Sequence, residues 1–238
     1  MRLARPRTLM QVALFIAATS GAAAADELRP YQASYRAIWH GMTVAVSDLK
    51  LEQSGDNWIY SSSSSPRGIG RLVSDVFPPR QVSVVRVASG GVQPLSFNST
   101  GGEAARSIEL TYDWESHRVS GAYEGKPVDL PLSAGVLDDA SAQLALTVEL
   151  LAGRTPSSFS VIDGNGTRQY QFSRDGHATL ETPMGRIATV IYRSQKAHSA
   201  RITRFWCAPD QGYIPIKVEQ TKGDEVQWTM EIEALTRK

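Results

Sequence analysis

One stretch restricts the fold more than any other. Residues 137–153, Leu-Asp-Asp-Ala-Ser-Ala-Gln-Leu-Ala-Leu-Thr-Val-Glu-Leu-Leu-Ala-Gly, form the only long helical pattern in a chain otherwise written in strands. Leu137, Ala140, Leu144, Val148 and Leu151 recur at helical spacing, Leu146 and Leu150 widen that face, and Gln143, Thr147 and Glu149 leave a narrow polar side. A helix so apolar needs burial over more than half its surface. Asp138 or Asp139 caps its first turn against the positive end of the dipole, and Gly153 suits the left-handed residue that ends it. One broad-faced helix among many strands predicts a mainly β fold: a strongly curved antiparallel sheet, a half-barrel, with the helix packed in its concave face.

The strands are read from period-two alternation between turn residues. Tyr31, Ala33, Tyr35, Ala37 and Trp39 alternate, His40-Gly41-Met42 turns the chain, and Thr43 to Gln53 alternates again, a long hairpin. Trp58-Ile59-Tyr60 opens a third strand that runs into Ser61 to Ser65, where a strand with small side chains and a flexible linker are equally good readings. Ile69, Leu72, Val73 and Val76 predict one or two helical turns before Pro78-Pro79, as a lid or a plain crossover; the glycines there lack the ending of a phosphate loop. Strand signals return at 81–88, 92–99, 104–114, 118–123 and 126–132. After the helix they continue at 158–163, 167–173, 178–182, 186–194, 200–208, 213–221 and 225–234. Links this short force mostly antiparallel pairing, since a parallel crossover needs about a dozen residues or more.

The N-terminus reads as an address. Arg2, Arg5 and Arg7 precede the apolar run Leu9 to Ala18 and the small residues of 21–25, the order of a secretory signal peptide. Cleavage is expected after Ala25, with Ala24 as the alternative, leaving 26–238 as one curved-sheet domain in the periplasm. The apolar run falls short of the ~20 residues that cross a bilayer, so no stable transmembrane segment is expected in the mature chain. Pro6 splits Arg5 from Arg7, against a twin-arginine signal, and no Cys near the cut offers a lipid attachment point.

Cleavage takes three of the 25 Lys and Arg and none of the 24 Asp and Glu, leaving 22 against 24. A chain near minus two has nothing to draw nucleic acid. Cys207 is the single cysteine, so no internal disulfide can form, and beside Phe205 and Trp206 it reads as a buried thiol. His40, His117, His177 and His198 share no ligand spacing, and no metal or cofactor is expected. There is no Gly-x-Ser-x-Gly elbow. Asp138, Asp139 and Ser141 could stand as polar groups at a cavity mouth, although capping explains the aspartates more simply.

The most specific stretch is Trp206-Cys207-Ala208-Pro209-Asp210-Gln211-Gly212-Tyr213-Ile214-Pro215, a hairpin whose Pro215 calls for an edge or a bulge. With the opening Tyr-to-Gly41 hairpin, Asp138-Asp139-x-Ser141 and Thr182-Pro183-Met184-Gly185, it resembles the exported bacterial domain-of-unknown-function family 3108 over most of the mature chain. A more distant similarity links the Trp-to-Pro hairpin to the periplasmic lipoprotein carriers of the Lol pathway. The resemblance implies a half-barrel holding helices on its concave face, and it carries no activity and no catalytic residue.

Two accounts of function remain open. In the first, the protein binds an apolar ligand, whether a lipid, an acyl chain or a lipidated partner, with Trp39, Trp58, Tyr60, Trp114, Leu144, Val148 and Trp206 lining the hollow. In the second, it is a non-catalytic interaction or structural factor of the cell envelope, acting on an envelope protein through its surface. A cofactor-free enzyme using Asp138, Asp139 and Ser141 is a weaker third.

Overall fold

The computed structural model describes residues 28–68, 70, 80–88, 91–100, 107–162 and 166–237. The segment expected to be a signal peptide and most of the short helical pattern after Gly68 lie outside these residues. In chain order the elements are β1 (Tyr31–Trp39), β2 (Met42–Ser54), β3 (Asn57–Pro66), β4 (Arg80–Ala88), β5 (Gly91–Thr100), β6 (Ile108–Asp113), β7 (Arg118–Tyr123), β8 (Lys126–Pro131) and β9 (Val136–Leu137). Then come α1 (Asp139–Leu151), β10 (Ser158–Ile162), β11 (Thr167–Thr182), β12 (Gly185–Lys196), β13 (Arg201–Ala208), β14 (Ile214–Lys222) and β15 (Glu225–Arg237).

All fifteen strands join one sheet, in the order β8-β7-β6-β5-β4-β3-β2-β1-β15-β14-β13-β12-β11-β10-β9. Every pairing is antiparallel except β9 with β10. The two ends of the sheet are β8 and β9, yet only the four residues Leu132–Gly135 separate them in sequence. Fourteen strand spacings of about 4.8 Å would make a flat sheet about 67 Å wide. Five extended steps of chain reach at most about 18 Å. The sheet must therefore curl until its ends meet, and β9 does lie against β5 as well as β10. It is not closed by hydrogen bonds: among the described residues nothing pairs β8 with β9. Pro127 and Pro131 remove donors from the β8 edge, which discourages pairing with another chain.

The helix sits inside this curl, touching β3, β4 and β5 on one side and β10 on the other. Ala140, Leu144 and Val148 enter the main core with Tyr31, Tyr35, Tyr60, Phe97, Leu110 and their neighbours. Leu146 and Leu150 enter a second cluster with Tyr192 and Cys207. Each fully buried aliphatic side chain contributes about 1.5–3 kcal/mol. Gly153 ends the helix at φ +69°, as the sequence predicts.

Three local readings change. Leu137 belongs to β9 and not to the helix, because Asp138 caps the first turn and fixes the start one residue later. The serine run is strand, Ser61 to Ser65 pairing in register with β2. The two strands expected at 167–173 and 178–182 are one sixteen-residue strand, β11. Asp175-Gly176 looks like a turn but forms a bulge, with Gly176 at φ +126° and the pairing to β12 continuing on both sides. Pro215 also lies at a bulge, opposite the register shift between Trp206 and Cys207.

One glycine holds the curl locally. A Cβ on Gly121 would run into the carbonyl of Glu109 on the neighbouring strand β6, and the residue sits at φ +150°. Gly121→Ala should lower unfolding stability by about 2 kcal/mol or more in a denaturant melt, whereas Gly223→Ala, with open space around its Cβ, should show only the smaller backbone cost of its positive φ.

Candidate functional site

The first turn of α1 is fixed by Asp138, which is fully buried. Its Oδ1 accepts from the backbone N–H of Ala140 at 3.0 Å and of Ser141 at 2.7 Å. Ser141 returns the bond, its Oγ accepting from the Asp138 N–H at 2.8 Å. The other carboxylate oxygen accepts from Ser83 Oγ of β4 at 2.8 Å. The cap thus ties helix to sheet as well as ending the helix. Burial pushes the Asp138 carboxyl up to about 6, with the Ser141 and Ser83 hydrogen bonds pulling the other way. Nearby, the Tyr112 hydroxyl is buried without a hydrogen-bond partner, and burial together with the charges of Asp138 and Asp139 raises its pKa. Asp138 and Ser141 are therefore occupied in structure, and Asp139 is the exposed acid of the pair.

Beside this turn lies an open cavity of about 370 Å³ between α1 and the inner face of the sheet. The helix presents Asp139, Ala142, Gln143 and Leu146 to it, a stripe at helical spacing. From the sheet, Tyr170 and Phe172 of β11, Thr203 and Phe205 of β13, and Val218 and Gln220 of β14 enter as i, i+2 pairs on inward faces. Trp228 and Met230 do the same from β15. Phe172 and Phe205 lie nearly parallel with centroids 6.5 Å apart, and Phe159 packs on Phe172 at 4.8 Å. Tyr35, at the cavity wall, donates its O–H to the Pro215 carbonyl at 2.8 Å. Among the described residues Asp139 is the only charged one lining the hollow. Among the described residues no set of His, Cys, Asp and Glu gathers to hold a metal ion, and burial pushes the Cys207 thiol up, away from reactivity.

The sequence model of the family described as protein of unknown function (DUF3108) matches residues 31–227. The chain belongs to that family. No curated protein matches this DUF3108 chain in sequence. Its fold is similar to that of a β-barrel-like protein of domain of unknown function DUF1849 from Brucella abortus, with a TM-score of 0.55 at 11% identity, covering 89% of this chain and 98% of that one. Looser matches are a protein from Parabacteroides distasonis named as a lipoprotein, with a TM-score of 0.33 at 9% identity over 88% and 96% of the two chains, and a protein with a YmcC-like fold from Bacteroides fragilis, with a TM-score of 0.32 at 12% identity over 88% and 96%.

Of the residues proposed from sequence, this DUF3108 chain brings Asp139 alone to the cavity. Leu144 and Val148 point into the packed core. Tyr60 is buried there, its hydroxyl 3.4 Å from Gln143 Oε1. Trp58 and Trp114 pack against the same core, and the Trp114 indole donates to the Pro94 carbonyl at 2.6 Å. Trp39 sits edge-on to His40 at the hairpin end, and Trp206 carries Lys217 Nζ 4.7 Å above its ring. Trp228, the one tryptophan left out, lines the hollow.

The buried cap sets a pH dependence. An unfolded Asp138 titrates near 3.8 and the folded one near 6, so between these values the folded state holds the extra proton and stability falls as pH rises. Below about pH 4 no penalty remains; above about pH 6 it is complete, at up to about 3 kcal/mol. Asp138→Asn keeps the acceptor without the charge. The stability difference between this variant and the wild type, from urea melts, should grow from pH 4 to pH 6 and then level off; a flat difference refutes the shift.

Proposed function

We propose that this protein is an exported, non-catalytic carrier that holds one apolar chain, from a lipid, a free acyl compound or a lipidated partner, in the cavity beside α1. The observation that carries the reading is the cavity itself, about 370 Å³ and lined by Phe172, Phe205, Trp228, Leu146 and Met230. That volume lies at the lower end of the ~300–1,000 Å³ usual for small-molecule sites, room for a single chain and not for a bulky two-chain lipid. A hydrocarbon seated there would make dispersion contacts with these apolar walls. Export rests on the leader-type residues at the N-terminus. No helix among the described residues is long and apolar enough to cross a membrane.

An outer-surface role has less to stand on. The large apolar side chains most exposed among the described residues are Met42 and Val226, in the first two residues of their strands, and Met184 in a hairpin turn. The concave side carries the chemistry.

Ala142 is a small side chain on the helix wall of the hollow, so Ala142→Phe should put a ring into it and obstruct a bound chain without disturbing the cap. Native purification, solvent extraction and mass spectrometry should recover an apolar compound from the wild type and lose most of it in the variant, with the melting temperature nearly unchanged. Wild-type protein that yields nothing and takes up no added alkyl compound refutes the carrier.

A further inference from the structure

We infer that the lip formed by Lys196, Arg201 and Lys222 binds an anionic head group, a carboxylate or phosphate, of the amphiphile whose chain occupies the cavity. This rests on the carrier reading and adds to it the chemistry of the ligand's polar end.

The three cations stand at the same end of three adjacent strands. Lys196 ends β12, the Ser199 N–H bonds back to the Lys196 carbonyl at 3.1 Å, and Arg201 opens β13. Arg201 lies directly opposite Lys222, the end of β14, in the pairing register. Like charges placed directly across a sheet disfavour the pairing. Here none of the three closes an ion pair among the described residues, although Glu225 of β15 stands opposite Lys222 in the pairing register. Arg201 and Lys222 are exposed and Lys196 is half-buried.

Their position relative to the hollow follows from strand periodicity. Ser194, Thr203 and Gln220 all line the cavity. Each is two residues inward from one of the cations, on the same strand. Side chains two apart share a face. The cations thus continue the cavity's own wall outward to its rim, where a head group would emerge once the chain is seated.

The interior cannot hold an anion in their place. Among the described residues its lining contains no Lys, Arg or His, and its one charged residue is Asp139. The helix N-terminus, which elsewhere attracts anions, is already satisfied: the Asp138 carboxylate accepts from Ala140 and Ser141, and the Asp138 carbonyl accepts from the Ala142 N–H. An anionic head group drawn inward loses water and meets a carboxylate. Held at the β12–β14 lip, it stays hydrated and meets three cations.

Binding of decyl phosphate, decanoate, decyl glucoside and decyltrimethylammonium to the purified exported protein, by calorimetry at neutral pH, tests this. The two anions should bind about tenfold more tightly than the glucoside and still more tightly than the cation, the scale of a few exposed ion pairs. Raising the salt should narrow the gap. Arg201→Gln with Lys222→Gln should bring the anions down to the glucoside's affinity and leave the glucoside unchanged, and Lys222→Glu should favour the cation. Anions no tighter than the glucoside, or a double variant without effect, would overturn the head-group assignment while the cavity reading stands. Inorganic phosphate binding as tightly as decyl phosphate would overturn it too, because the chain would then contribute nothing. If no decyl compound binds, the carrier reading itself fails and this inference falls with it.

Discussion

The structure depends on one connection. Leaving β8, the chain has four residues, Leu132 to Gly135, in which to reach β9, the opposite end of a fifteen-stranded sheet. A short covalent tether can do what hydrogen bonds do in a closed barrel: it forbids the flat sheet. The tether also sets the place of the helix, since α1 follows β9 after a single capping residue. The helix therefore begins where the ends of the sheet converge, and its first turn is fastened to β4 by the Ser83 to Asp138 hydrogen bond. A buried carboxylate is costly unless it is fully hydrogen-bonded. Asp138 accepts from two amides and a hydroxyl, which is why the sequence can place an acid there at all.

From that anchored start the helix divides its circumference three ways. One stripe, Ala140-Leu144-Val148, packs against the main core. A second, Leu146-Leu150, packs against Tyr192 and Cys207. The third, Asp139, Ala142-Gln143 and Leu146, faces the cavity. Except for Leu146, shared with the second stripe, this side of the helix is small or polar. Gln143, near the Tyr60 hydroxyl on one side and the cavity on the other, lies where the packed and unpacked parts of the interior meet.

That division explains how much was legible in the sequence. Alternation located nearly every strand because each has one buried face, as in β1, where Tyr31, Ala33, Tyr35 and Ala37 are all buried. The helix, its Asp138 cap and its Gly153 end follow from local chemistry that needs no partner. What sequence could not do was separate packing from lining. The sequence reading sets Leu144 and Val148 beside the hollow, whereas their stripe is the one the main core consumes. The lining comes instead from mixed pairs such as Thr203-Phe205 and Gln220-Val218, whose half-polar character looks like an ordinary partly solvated strand until the curl is known. Trp228 has the same character: flanked by Gln227 and Thr229, it does not announce itself. The β11 bulge was hidden for a related reason, since Asp175-Gly176 is turn chemistry and only pairing with β12 on both sides shows that the chain continues.

The charges are sorted by the same curvature. Pairs such as Arg36 with Glu231, Arg204 with Asp175 and Arg118 with Asp129 are matched across neighbouring strands or neighbouring bends of the sheet. Each of these cations has its carboxylate supplied by the fold. Arg201 and Lys222 face each other instead, at the rim that the cavity-lining faces of β13 and β14 run into. A sheet with no need of the rim could exchange either for a glutamate and gain an ion pair, as it does at Arg36. Retaining two opposed cations costs the sheet some pairing energy; Glu225 stands across from Lys222 on its other side, and an anion held beside Arg201 and Lys222 would offset the rest. The hollow directly beneath says where the rest of that molecule would lie.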